Sequence, residues 1–201
     1  MKRLAALLVV MILLLSACGG KQNEPKGDES EPSNHMVAMT MEKTAFSQET
    51  EDVLKLLEID GGFFDFCVDE SVNGFSMNVW VLTDGEWVSS GEINGKIENR
   101  QGQIGVQLLR DGCNFFQLNS AGHTKYAVKY DTHLNECAVI GKMALDTMNG
   151  TPVIEAGKEQ FLCLELGWKS SSASVQMTED FRNSGCDAGV AATITFTAAA
   201  G

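Results

Sequence analysis

The residues of this chain that could take part in covalent or metal chemistry are few, and one group stands out. His133 and Cys137 lie four positions apart, and Asp131 lies two positions before the histidine. These residue types could supply metal ligands, or a cysteine nucleophile with a histidine base. Because the flanking segments alternate as strands do, we place the group in a loop and favour a surface histidine. A thiol and an imidazole within hydrogen-bond distance would revive the pair.

Five cysteines follow the N-terminal segment, and their odd number leaves at least one free thiol in an exported protein. Cys67 and Cys163 lie in apolar runs, where a cysteine packs as a small hydrophobic residue. Cys113, Cys137 and Cys186 lie near predicted turns, so one disulfide among them is possible. No C-x-x-C pair occurs, so a redox motif is not expected, and we predict neither a metal site nor a cofactor.

Paired carboxylates offer a second kind of chemistry. Asp69-Glu70 and Glu179-Asp180 could serve glycoside hydrolysis, which needs two carboxyl groups at a fixed separation across a cleft. In a chain with 27 acidic residues such pairs are expected by chance. The phosphate-loop, G-x-S-x-G and H-E-x-x-H motifs do not occur, which favours a protein that is not an enzyme. The alternative is a surface hydrolase with a site built from carboxylates or from His123, His133 and Cys137.

Trp80 is the aromatic side chain whose neighbours suggest binding. It shares a predicted strand face with Ser76 and Asn78, and an exposed indole beside polar groups can stack on a sugar ring or on a partner protein. Trp87 follows the next turn and is a candidate cross-strand neighbour. We favour the alternative that both rings cover the second face of the sheet beneath an N-terminal helix.

The elements that must position these residues are mostly β-strands. Apolar and polar residues alternate with period two in several segments, among them Phe75–Leu82 and Val190–Phe196. Between them lie Asx-Gly pairs, which tolerate the positive φ of tight hairpin turns. The pairs are Asp60-Gly61, Asn73-Gly74, Asp84-Gly85, Asn94-Gly95, Asp111-Gly112 and Asn149-Gly150. The pattern predicts a mainly β fold, an antiparallel β-sandwich or a jelly-roll-like double sheet, with about eight to ten strands.

One short helix is predicted before the strands. Ser47 can cap it, acidic residues follow in its first turns, and Gly61-Gly62 ends it. Its apolar stripe consists of Phe46, Val53, Leu54 and Leu57.

Composition excludes two classes of protein. The chain has 201 residues, 27 of them acidic and 15 basic, and a net charge of −12 opposes binding to nucleic acid. Hydrophobic residues make up 44% of the chain, which excludes a fully disordered protein.

The N-terminus has the features of a secretory signal. Lys2 and Arg3 precede an unbroken apolar run, Leu4–Leu15. As a helix this run would span about 18 Å, which is short of the roughly 30 Å of a bilayer core. It therefore predicts a signal-peptide core rather than a membrane span.

The residues that end this segment indicate the type of signal. Leu15-Ser16-Ala17-Cys18 resembles the lipobox of bacterial lipoproteins, in which a leucine and two small residues precede a cysteine. The resemblance implies cleavage before Cys18 and a diacylglycerol thioether on its sulfur, with fatty acyl chains such as palmitate. Two acyl chains give stable membrane anchoring. The alternative is an ordinary secretory signal that happens to be followed by a cysteine.

Three regions follow from this reasoning. Residues 1–17 form the signal peptide, residues 18–34 the lipidated cysteine and a flexible linker, and residues 35–201 a β-rich extracytoplasmic domain. The linker has no aliphatic or aromatic side chain, so it acts as a solvated spacer. Loss of Lys2 and Arg3, with no acidic residue, takes the net charge of the mature chain to −14.

The leading functional hypothesis is a lipoprotein anchored through Cys18 on the extracytoplasmic face of the cell membrane, and we favour a bacterium with a single membrane. Its sandwich would be a non-catalytic binding or envelope-associated module with a glycan or protein partner and no nucleic acid. Besides the hydrolase, a third hypothesis is an assembly or regulatory lipoprotein without a small ligand.

Overall fold

The computed structural model describes residues 38–59, 61–119, 122–145, 152–171 and 177–198. The predicted leader, the lipid attachment at Cys18 and the linker lie outside these residues, as does the Asn149-Gly150 turn. The strands and the helix of the described part are β1 (Thr40–Lys43), α1 (Gln48–Leu56), β2 (Gly62–Cys67), β3 (Val72–Thr83), β4 (Glu86–Lys96), β5 (Gln101–Leu109), β6 (Gly112–Asn119), β7 (Gly122–Lys129), β8 (Val139–Ala144), β9 (Glu159–Trp168) and β10 (Ala188–Ala198). Short 3-10 helices span Leu134–Glu136 and Phe181–Asn183.

The strands form two antiparallel sheets that pack against each other, as predicted. The first sheet has the order β1-β2-β5-β6-β7, and the second has the order β4-β3-β10-β9-β8. The alternation in Phe75–Leu82 and Val190–Phe196 correctly predicts which side chains face inward, and Phe75, Met77, Ile194 and Phe196 are buried. The ring of Phe196 packs against Phe66 of the first sheet at 5.6 Å between centroids, so the core lies between the sheets.

Two of the predicted turns are wrong. Asp84-Gly85 does form the β3–β4 hairpin, with φ of 52° and 84°, and Asp111 lies in the tight turn that precedes β6. Asn73-Gly74 and Asn94-Gly95, however, lie inside β3 and β4. A Cβ atom at Gly95 would lie 2.1 Å from the ring of Phe75 on the paired strand, so this glycine makes room for an aromatic ring.

Helix α1 begins directly after the predicted cap Ser47, but it follows strand β1 and so does not precede all the strands as predicted. The hydroxyl of Ser47 accepts a hydrogen bond from the backbone N–H of Thr50 at 3.4 Å, and acidic residues occupy the first turn. The helix ends at Leu56, before the predicted Gly61-Gly62. Among the described residues, no helix is long and apolar enough to cross a membrane.

Helix α1 packs on the outer face of the first sheet. Phe46, just before the helix, makes an edge-on contact with Phe63 of β2 at 5.3 Å between centroids. The helix connects β1 to β2, which are neighbours in that sheet, and short connections keep it there. No residue of α1 is buried, so the helix covers the sheet without filling the space beneath it.

Candidate functional site

Trp80 lies on the outer face of the second sheet, as predicted, but its ring is not free to stack on a ligand. The indole Nε1 donates hydrogen bonds to Glu159 Oε1 at 2.9 Å and to Thr193 Oγ1 at 3.0 Å. The guanidinium of Arg182 lies over the ring, 4.4 Å from its centroid. These contacts occupy both the polar edge and one face of the indole, so neither of these surfaces is available to stack on or bind a sugar.

Trp87 is a cross-strand neighbour of Trp80, as predicted, but the cover over both indoles differs from the prediction. Trp87 pairs with Leu82 and Trp80 pairs with Ser89, so the indoles are diagonal neighbours rather than opposite partners. The ring of Trp87 packs edge-on against Phe181 at 4.7 Å. The 3-10 helix in the β9–β10 connection therefore covers this face, and the prediction that the N-terminal helix lies over both rings is wrong.

His133 and Cys137 do not form a nucleophile and base. The imidazole Nδ1 lies 3.1 Å from Glu136 Oε1, whereas the thiol of Cys137 points to the backbone carbonyl of His133 at 3.7 Å. Burial raises the pKa of the Cys137 thiol, so the protonated form prevails at neutral pH. His123 lies on β7 of the first sheet, so the structure does not bring the three predicted residues together.

The five cysteines of the described part are all free thiols. The possible disulfide among Cys113, Cys137 and Cys186 is therefore absent. Cys163 is buried, as predicted, and burial raises the pKa of Cys113 to about 12. Cys67 is not a core residue: the buried positions of β2 are Gly62, Phe64 and Phe66, so the strand alternation directs Cys67 to the outer face.

The predicted acid pairs lie at turns rather than across a cleft. Asp69 Oδ1 accepts hydrogen bonds from the N–H of Ser71 at 2.8 Å and from its hydroxyl at 2.5 Å, and these bonds lower the pKa of Asp69. Asp180 accepts a hydrogen bond from Asn183 at 2.7 Å. No group of three or more His, Cys, Asp or Glu placed to hold a metal ion occurs in the part of the chain that the structure describes.

A row of side chains that the sequence analysis missed crosses the outer face of the first sheet. The strand register aligns one residue from each of the five strands: Glu42, Asp65, Gln103, Leu118 and His123. Acidic and amide side chains thus lie at the β1 end of the row, and an imidazole lies at the β7 end. The row divides this face into two concave regions, which together we call the outer groove.

The first region, the polar cleft, lies on one side of the row and has a volume of about 510 Å³. Glu42 and Asp65 lie directly opposite each other on β1 and β2. The amide of Gln103 donates hydrogen bonds to Asp65 Oδ1 at 2.9 Å and to Thr44 Oγ1 at 3.0 Å. Like charges that face each other directly across two strands are destabilising, so this arrangement lowers the stability of the fold.

The second region, the apolar cavity, lies on the other side of the row beneath α1 and has a volume of about 390 Å³. Its walls come from the helix and from the outer face of the sheet. They include Phe46, Leu54, Ile59, Phe63, Phe116 and His123. Gln103 and Leu118 line both regions, so the cavity and the cleft adjoin along the row.

Gly105 forms part of the floor beside this cavity. It pairs with Phe63 on one side and with Phe116 on the other. A Cβ atom at this position would lie 3.0 Å from the ring of Phe63, so the missing side chain lets the two aromatic residues approach the sheet closely.

No family model, curated protein or solved structure matches the chain.

Proposed function

We propose that the chain is a lipid-anchored extracytoplasmic lipoprotein whose β-sandwich is a non-catalytic binding module, with the outer groove as its ligand-binding surface. The observation that supports this proposal is the apolar cavity, which adjoins a polar cleft on one face of the first sheet. Small-molecule sites are concave, mostly apolar and supplied with a few polar groups that orient the ligand. Their usual volume is about 300–1,000 Å³, and both regions lie within that range.

The state of the thiols supports a non-catalytic role. A cysteine nucleophile must be a thiolate, and burial raises the pKa of Cys113, Cys137 and Cys186 above the ordinary value. The imidazole of His133 is paired with Glu136 rather than with a nucleophile.

The lipobox and the linker support the anchoring part of the proposal. Cys18 follows a leucine and two small residues, and the linker after it is polar. The test is to label cells that express the full chain with an alkyne fatty acid and to compare Cys18→Ala with Cys67→Ala. We expect the label to disappear only in Cys18→Ala. Equal labelling of Cys18→Ala and the wild-type chain would contradict lipid attachment at this residue.

The binding part is tested with the mature chain, residues 18–201, produced without its leader so that Cys18 carries no lipid. Leu118 lines both regions of the groove and Leu109 lines neither, although the two have similar exposed fractions of 37% and 39%. A screen of glycans, peptides and amphiphiles supplies the ligands. We expect Leu118→Arg to lower their binding affinity by at least about tenfold and Leu109→Arg to leave the affinity unchanged. Equal effects of the two variants would exclude the groove as the binding surface.

The facing carboxylates favour one second candidate, a glycoside hydrolase. Residues directly opposite on paired strands have Cβ atoms about 4.5–5.5 Å apart, so the carboxyl groups of Glu42 and Asp65 have the reach to adopt the separation of about 5–5.5 Å used by retaining enzymes. Hydrolysis of nitrophenyl glycosides by the mature chain, abolished in both Glu42→Gln and Asp65→Asn, would establish it. Absence of turnover while ligands still bind would reject it and leave the binding module.

A further inference from the structure

We infer that the outer groove binds a single-chain amphiphile, with the apolar chain in the cavity beneath α1 and the head group beside Glu42 and Asp65. The head group would donate hydrogen bonds and carry no negative charge. This inference rests on the proposed binding function of the same groove and specifies its class of ligand.

The apolar end of the groove has the size and lining for a hydrocarbon chain. Side chains of Phe46, Leu54, Phe63 and Phe116 face a cavity of about 390 Å³. Most of the surface that lines the cavity is apolar, and apolar surface is stabilised when an apolar ligand covers it. At about 30 Å³ for each water-sized group in a liquid, the volume accepts about a dozen methylene groups.

Helix α1 forms one wall of this cavity. Thr50 and Leu54, one turn apart, line the cavity, but no residue of the helix is buried. Leu56, on the same helix, does not line the cavity and is 82% exposed. A helix whose apolar residues remain accessible has surface left for an inserted chain to bury, and this burial would stabilise the complex.

The polar cleft determines which head group fits. The residues that line it include the carboxylates of Glu42 and Asp65 and the amides of Gln101 and Gln103, but no Lys, Arg or His. A head group with donors or a positive charge would reduce the repulsion between the facing carboxylates. An anionic head group would add to it.

Charge also distinguishes a free amphiphile from a membrane surface. Glu49, Glu51 and Asp52 occupy the first turns of the helix that borders the groove. A whole chain with a net charge of −12 would be repelled from an anionic bilayer. The occupant is therefore a single amphiphile molecule rather than a membrane surface.

The test measures binding of three dodecyl compounds to the mature, unlipidated chain below their micelle concentrations, by calorimetry and native mass spectrometry. The compounds are dodecylammonium, dodecyl maltoside and laurate, which share a chain and differ in the head group. We expect one molecule to bind per chain, with laurate at least about tenfold weaker than dodecylammonium. For the ammonium series, affinity should rise by about fourfold for each added methylene and level off near twelve carbons.

Two matched pairs of variants locate the ligand. Leu54→Glu places a charge in the cavity, whereas Leu56→Glu places the same charge on the solvent side of the same helix. Glu42→Gln removes a carboxylate from the cleft, whereas Glu86→Gln removes an exposed one from the second sheet. We expect dodecylammonium to bind at least tenfold more weakly to Leu54→Glu and severalfold more weakly to Glu42→Gln. The other member of each pair should bind as the wild type does.

Several outcomes would overturn the inference. Lys125 Nζ lies 5.7 Å from the ring centroid of Phe116, so tighter binding of laurate than of dodecylammonium would place the head group beside this cation and reject the assigned head group. Binding to phosphatidylglycerol vesicles without binding of single molecules would identify a membrane as the occupant instead. Loss of amphiphile binding in the chain lipidated at Cys18 would identify the acyl chains of that chain as the occupant of the groove. If no amphiphile binds but a glycan or peptide does so in a Leu118-dependent way, this inference fails while the proposed binding function stands.

Discussion

The indole Nε1 of Trp80 on β3 donates a 2.9 Å hydrogen bond to Glu159 Oε1 on β9, across the intervening strand β10. Thr193 of β10 donates to the same oxygen at 2.7 Å, and Arg182 lies 3.0 Å from the second oxygen. One carboxylate therefore connects three strands of the second sheet to the segment that covers it. The tryptophan that the sequence suggests as a sugar platform is part of this structural network.

Replacement of this carboxylate should destabilise the fold. We expect Glu159→Ala to lower the free energy of unfolding by about 1–2 kcal/mol, because it leaves the buried hydroxyl of Thr193 without its acceptor and the indole of Trp80 with Thr193 as its one remaining acceptor. Glu155→Ala, which removes only an exposed ion pair with Lys158, should cost less than about 0.5 kcal/mol. Urea unfolding followed by tryptophan fluorescence measures both values. Equal costs would show that the network contributes nothing beyond a surface charge.

Stability should fall at alkaline pH because of Cys113. Burial raises the pKa of this thiol from about 9 to about 12 in the folded chain. Between these values the unfolded chain releases the proton and the folded chain keeps it, so rising pH favours unfolding. The contribution of this group should be about 1.4 kcal/mol for each pH unit within that window and absent below it.

The comparison that isolates Cys113 is the slope of stability against pH. Cys113→Ala also removes packing and lowers stability at every pH, but its unfolding free energy should decline less steeply above pH 9. Tyr130 is also buried and its pKa is raised, in part by the thiolate charge of Cys113, so the comparison ends at pH 10, where Cys113 is still protonated in the folded chain. Urea unfolding at pH 8, 9 and 10 supplies the slopes. Parallel slopes would mean that the buried thiol does not resist ionisation.

The sheets could be predicted because the alternation of apolar and polar residues that indicates a strand is a local feature of the sequence. Alternation in Phe75–Leu82 and Val190–Phe196 reports directly which side chains are inside, whatever strand lies next to them. Asn94-Gly95 shows the limit of local signals. Its preference for a turn is overridden by packing of the Phe75 ring from a neighbouring strand, a contact that no short window of sequence contains.

The candidate site could not be predicted for a related reason. Glu42, Asp65 and Gln103 lie far apart in the chain and meet only through the register of β1, β2 and β5. Register depends on long-range pairing, and a shift by one residue would move each side chain to the other face. Cys67 illustrates the same sensitivity: its apolar surroundings suggested the core, but its position in the alternation of β2 directs it outward.

Removal of the repulsion between the facing carboxylates should stabilise the free protein. We expect Glu42→Gln to raise the free energy of unfolding by about 0.5 kcal/mol at low salt, since it removes a like charge directly opposite Asp65. Glu86→Gln, which faces Thr83, should change it by less. The difference should disappear in 1 M salt, where charges are screened within about 3 Å. A destabilised Glu42→Gln variant would show that the two carboxylates do not repel each other.

Helix α1 should open independently of the sandwich. Ser47→Ala removes the hydroxyl that accepts from the N–H of Thr50, and the loss of an N-cap costs about 1 kcal/mol. Because no residue of α1 is buried, this cost should appear as about fivefold faster hydrogen exchange within the helix, with the urea midpoint of the whole domain unchanged. Ser89→Ala, which removes a hydroxyl on β4, should leave exchange in the helix unaltered. If Ser47→Ala lowered the urea midpoint by the full amount, the helix would unfold together with the sheets, and the cavity beneath it could not admit a ligand by opening of α1 alone.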